Sequence, residues 1–153
     1  MRNQNKLLIQ QLDRKLKPLV ESGNIQIPER GWIHTIRVTL KMTLRQLGSK
    51  LNITSQGVRD IEKREVAGSI SIKSLKEVGK ALDMKFVYGF VPASGSFENY
   101  VALKASELAT KIVLRTSQNM NLEGQGNSND RLVQSIEELK VEIIREMPKS
   151  LWN

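Results

Sequence analysis

The sequence predicts a mainly α-helical protein built around a small helix-turn-helix bundle, with helical extensions on both sides and one short β-strand. Three observations carry this expectation. Apolar residues recur at steps of three and four through most of the 153 residues, the period of a helix with one buried face. Between Thr43 and Lys63, TLRQLGSKLNITSQGVRDIEK holds two short helical patterns separated by a three-residue break. One run alone, Met84 to Pro92, alternates residue by residue as a strand does. The boundaries read as an N-terminal arm and linker (1–29), a helix-turn-helix domain (30–83), a strand (84–92) and a C-terminal helical region (96–153). A chain of this length can bury a substantial core.

The elements follow in order. Leu8, Leu12, Leu16 and Leu19 step by four, four and three, so residues 3–21 form one helix, with Pro18 working against its last turn. Gly23, Asn24, Pro28 and Gly31 mark a loop in which Ile25 to Ile27 are extended. From Trp32 to Leu40, Ile33, Ile36, Val38 and Leu40 with Arg37 and Lys41 describe a short amphipathic helix. Thr43, with Gln46 three residues on, reads as a capping box that starts the next helix. Leu44, Leu47 and Leu51 are its buried stripe. Gly48 sits mid-helix, where glycine costs about 1 kcal/mol relative to alanine, which implies close approach by another helix. Asn52 suits a left-handed helix end. Thr54 or Ser55 caps the following helix, whose inward residues are Val58 and Ile61.

After Arg64, EVAGSIS reads as a loop, and Ser71 caps a helix carrying Ile72, Leu75, Val78 and Leu82, ended by Asp83. In the strand, Phe86, Tyr88 and Phe90 alternate with Lys85, Val87, Gly89 and Val91. A single strand does not stand alone. Phe86, Val87, Tyr88, Phe90 and Val91 are therefore expected to pair across the two-fold axis of a homodimer, with Ile25 to Ile27 as the less favoured partner. Beyond it, one helix runs from Glu98 to Arg115 with Val101, Leu108 and Ile112 inward. A break at QGNSND leads to a last helix from about Asp130, where Leu132, Ile136, Leu139, Ile143 and Met147 form a buried seam.

Charge locates the functional surface. The formal net charge is +8, and residues 30–85 hold twelve Lys and Arg against five Asp and Glu, whereas 86–153 hold seven against eight. An anionic partner is expected at the middle segment, and the motif there suits double-stranded DNA. In a helix-turn-helix the second helix enters the major groove with its leading residues against base edges. Ser55 and Gln56 stand at that tip. A glutamine amide matches the N6 and N7 edge of adenine, and Arg59 and Lys63 continue the same face toward a guanine or phosphates. Asp60, repelled by phosphate, either accepts from a cytosine N4 donor or holds Arg59 or Lys63 in place, the second being preferred. Ser71 and Lys73, opening a later helix, form an expected phosphate site. Thr43, Arg45, Thr54 and Gly57 complete the DNA-facing set.

Composition narrows the other classes. There is no cysteine and a single histidine, His34, so disulfides, thiol nucleophiles and thiolate metal sites are excluded. No cluster supplies nucleophile, base and oxyanion donors, so no enzyme and no cofactor or metal is expected. His34 reads as a surface or capping side chain, and Trp32 and Trp152 as packing anchors. Glu137, Glu138, Glu142 and Glu146 form an acidic face on the last helix. No apolar run reaches the roughly 18–20 residues of a membrane span, and the N-terminus turns polar too soon for a signal peptide, so a cytoplasmic protein is expected.

Trp32 to Met84, above all TLRQLGSKLNITSQGVRDIEK and SLKEVGKALDM, resembles the lambda-repressor-like helix-turn-helix domain of the Xre and phage-repressor family. The resemblance implies that Leu47, Leu51, Val58 and Ile61 are core and that Ser55, Gln56, Arg59 and Asp60 fall where the family contacts bases. It also implies a structural ion pair, Arg37 with Glu62, joining the first helix to the recognition helix. Gly48 departs from the family's alanine, and the loop before Ser71 is about three residues longer. A wider resemblance covers nearly the whole chain: QLDRKLKPL, PERGWIHTIR, GSISIKSLKEVGKALDMKFVYGFVP and PKSLWN are similar to the family called mobile mystery protein A. Its members are small bacterial regulators of mobile elements, commonly encoded beside a Fic-domain protein. That implies a repressor of its own operon, or an antitoxin that binds the neighbouring Fic-domain protein and uses DNA binding for autoregulation.

Overall fold

The periodicity seen in the sequence becomes seven α-helices and a closing 3-10 turn among the described residues, 4–122 and 128–153 of the computed structural model. They are α1 (Gln4–Glu21), α2 (Trp32–Thr39), α3 (Leu44–Leu51), α4 (Ser55–Ala67), α5 (Ile72–Ala81), α6 (Phe97–Leu122), α7 (Asn129–Glu146) and the turn Lys149–Trp152. Two compact units result. One is Asn24–Tyr88, holding α2 to α5; the other joins α1 to α6, α7 and the final turn.

In the Asn24–Tyr88 unit each helix gives one side chain to the core: Ile33, Leu47, Val58 and Val78. Leu47 and Val58 are fully buried and clamp α3 to α4. The capping box is formed as the sequence suggests: Gln46 N–H donates to Thr43 Oγ1 at 3.0 Å, and Thr43 N–H donates to Gln46 Oε1 at 2.8 Å. Asn52 takes the left-handed conformation, φ 58°, and ends α3. Thr54, rather than Ser55, then caps α4 by accepting from Gly57 N–H at 3.0 Å. A three-residue turn is left between the helices.

Gly48 is explained by that turn and not by a neighbouring helix. A Cβ there would lie 2.7 Å from the carbonyl oxygen of Ile53, while Ile53 N–H donates back to Gly48 O at 2.9 Å. Backbone meets backbone, so nothing can rotate aside. Gly48→Ala is expected to destabilise the chain by about 1–3 kcal/mol through overpacking, against a helix-propensity gain of about 1 kcal/mol. Urea denaturation checks this, and a stabilised variant would mean the turn yields freely.

Of the loop expected after Arg64, Glu65–Ala67 are helix instead, because α4 continues to Ala67 and ends on left-handed Gly68, φ 77°, while Gly68–Ser71 do form the loop. Its added turn carries Glu65 to the start of α2. Trp32 N–H donates to Glu65 Oε2 at 2.7 Å and Ile33 N–H to Oε1 at 2.9 Å, supplying the cap that Gly31 lacks. Any side chain at Gly31 would meet that carboxylate at 2.9 Å.

The second unit has a core of Val101, Ala105, Ala109, Ile143 and Leu151. Alanines at a four-residue step give α6 a shallow face against which other side chains close. Asp13 of α1 accepts from Phe97 N–H at 2.6 Å and Glu98 N–H at 3.2 Å, capping α6. The N-terminal arm and the C-terminal region, read separately in the sequence, thus belong to one body. Its seam on α1 uses Ile9, whereas Leu8 and Leu12 are exposed. Trp152 stacks on Tyr100 at 5.9 Å, anchoring the final turn. The break expected at QGNSND falls partly on 123–127, outside the described residues, and Ser128 caps α7.

The strand expected at 84–92 is not formed. Residues 84–92 follow an irregular path, and the backbone of Lys85–Val91 makes no hydrogen bond among the described residues. The alternation is real, with Phe86 stacked on Tyr88 at 5.7 Å. A ladder needs a second strand, however, and Ile25–Ile27 does not provide one.

Candidate nucleic-acid interface

The leading turn of α4 is presented to solvent because the residues beneath it hold it from behind. Val58 and Ile61 pack inward, which by helical geometry turns Gln56, Arg59, Asp60 and Lys63 outward. Thr54, Ser55, Gln56, Arg59, Asp60 and Lys63 are exposed, and Gly57 is half-buried against Ile53. Gln56 Nε2 donates to Asp60 Oδ1 at 3.1 Å. Asp60 therefore steadies Gln56, not Arg59 or Lys63 as expected. The four-residue step favours this pairing, since both groups sit one above the other on the helix. The amide keeps its oxygen and one N–H for another partner. Arg59 and Lys63 make no ion pair among the described residues.

Thr43 and Arg45 are exposed at the start of α3. At the start of α5, Ser71 Oγ accepts from Ser74 N–H at 3.0 Å and its hydroxyl lies 2.9 Å from Ser74 Oγ. Its side chain is committed to the cap, while Lys73 beside it stays exposed.

Under α4 lies a buried polar network. Arg37 Nη2 donates to Glu62 Oε1 at 2.9 Å and Arg37 Nε to Oε2 at 3.1 Å, a two-pronged pair. Arg37 Nη1 donates to the carbonyl of Met42 at 3.1 Å, tying down the end of α2. His34 Nδ1 stands 3.0 Å from Glu62 Oε1, so His34 belongs to the network and not to the surface. Burial alone would raise the Glu62 pKa and is the largest single influence; the hydrogen bonds and charges of Arg37 and His34 together outweigh it and hold the carboxyl below its usual range. The histidine's part was missed in the sequence, although its three-residue spacing from Arg37 places both on one face of α2.

Of the residues expected to form the dimer, Phe86 is half-buried while Val87, Tyr88, Phe90 and Val91 are exposed. Among the described residues no group of three or more His, Cys, Asp or Glu converges as a metal site, and no helix is long and apolar enough to cross a membrane. No family model, curated protein or solved structure matches the chain.

Proposed function

We propose that this chain is a cytoplasmic, sequence-specific DNA-binding regulator, a repressor with a lambda-repressor-like helix-turn-helix domain. The carrying observation is the solvent-facing tip of α4, where Gln56 is aligned by Asp60 and followed on one face by the cations Arg59 and Lys63, which make no ion pair among the described residues. Short polar groups reach base edges and the cations hold phosphate. The repressor acts as a homodimer on a palindromic operator upstream of its own gene, and the resemblance to mobile mystery protein A supports that setting. Backbone along Lys85–Val91 that makes no hydrogen bond among the described residues, with the exposed side chains of Val87, Phe90 and Val91 beside it, favours pairing with a second copy.

Footprinting the purified protein on that upstream DNA tests the reading. Two protected half-sites about one helical turn apart are expected, and binding that weakens steeply as salt rises. Gln56→Ala is expected to cost about 1–3 kcal/mol on the operator and little on random duplex, whereas Lys73→Ala weakens both alike. Protection that is absent, or no stronger than on random DNA, removes the proposal.

A second reading is an antitoxin that binds a neighbouring Fic-domain protein. It is favoured by α7, where Val133 and Val141 are exposed on the same face as Glu137, an amphipathic surface suited to a basic partner. Co-purification with the Fic-domain product, lost in Val141→Asp, is the expected result. Undiminished capture by that variant would count against α7 as the contact.

A further inference from the structure

We infer that the cleft between α2 and α4 is a phosphate-binding site, with Arg30, in the loop that precedes α2, as one of its members. The inference rests on the DNA-binding reading for the source of the phosphate, not for the chemistry of the site. The cleft measures about 530 Å³ and is bordered by Arg30, Arg59 and Lys63. These three cations are exposed and make no ion pair or hydrogen bond among the described residues.

Arg37 and Glu62 also face the cleft, but they neutralise one another at 2.9 Å. Glu29 is the one other carboxylate on its wall. A positive surplus remains, aimed at a concave space. The amides that open α2 are not part of the site, because Glu65 occupies them. Recognition therefore comes from side-chain cations.

Three cations converging from two segments suit a group with several equivalent anionic oxygens, and guanidinium and ammonium donors both fit phosphate well. The rim is solvent-exposed, so engaging a phosphate there needs little desolvation of the protein. Continuity points to the source. Arg59 and Lys63 lie three and seven residues beyond Gln56 on one helix face, so a duplex read at the tip of α4 carries its sugar-phosphate backbone past this cleft. Arg30 grips that backbone from the segment preceding α2 and adds affinity without reading sequence.

The test uses the full chain and the variant Arg30→Ala, with Lys63→Ala as a second probe of the same site. Fluorescence anisotropy is measured on upstream duplex and on random duplex at several salt concentrations. Inorganic phosphate alone is titrated by NMR at constant ionic strength. Arg30→Ala is expected to weaken both duplexes equally, roughly fivefold near 0.15 M salt, and to flatten the slope of log K against log salt by about 0.9. Its melting temperature should not move, since the Arg30 side chain has no ion-pair or hydrogen-bond partner among the described residues.

If the wild type ignores both duplexes, the DNA reading falls by itself, and the phosphate titration decides the site. Millimolar phosphate shifting the amides around Arg30 and Lys63 in the wild type, but not in Arg30→Ala, supports a site whose source is free phosphate. Unchanged affinity and slope in Arg30→Ala, together with no response to phosphate, overturns the inference while leaving the DNA reading standing.

Discussion

Glu62→Gln is expected to destabilise the Asn24–Tyr88 unit by about 3 kcal/mol at neutral pH, because it leaves the Arg37 guanidinium in a largely buried position without its counter-charge. The Arg37 side chain is only 12% exposed, so water cannot replace the lost carboxylate. The effect has a defined pH dependence. Glu62 titrates lower in the native state than the ordinary value of 4.5, so its ionised form contributes stability in full above that value. That contribution is lost as pH falls through the lower native pKa. The gap between wild type and Glu62→Gln should therefore be constant above about pH 6 and close in acid. Urea midpoints across pH, followed by hydrogen exchange at α2 and α4 amides, check both size and sign. A gap that widens in acid would contradict the assigned direction.

Leu47→Ala is expected to cost about 3–5 kcal/mol, the upper part of the range for large-to-small changes, because the side chain is wholly buried and its neighbours are helices that cannot collapse inward. Leu47 is 0% exposed and packs with Val58, Ile33 and Val78. The loss should appear as faster exchange throughout α2 to α5, with the amides of α6 protected as before, since α6 has a separate core. The proposed DNA binding should decline in proportion to the unfolded fraction and recover on cooling toward the temperature of maximum stability. An exchange change confined to α3 alone would mean that the four helices do not share one cooperative core.

The helices were legible because their signals are local. Thr43 with Gln46, Asn52, and Ser71 act within four residues of themselves, so their bonding follows from the sequence alone. The partner of Asp60 was misjudged because a cation nearby looks preferable on charge, yet helical stacking places Gln56 over it. Glu65 as the cap of α2 could not be read, since Glu65 and Trp32 are 33 residues apart and only the packing of α2 on α4 brings them together. The same applies to Asp13 and Phe97. Alternation at 84–92 was legible as pattern, but strand formation depends on a partner that the pattern does not name. Arg30 escaped notice because its neighbours are loop formers, and only the fold sets it across from Arg59 and Lys63.

Asp13 and Phe97 are 84 residues apart in the chain, and everything from α2 to α5 lies between them. During synthesis at about 5–20 residues per second, Asp13 is made and then waits roughly 4–17 s for Phe97, the residue it caps. The intervening helices can assemble in that interval. The four helices proposed to read DNA are thus all made before the second unit can close, and any product cut short ahead of α6 carries them entire, with an α1 that lacks its α6 partner.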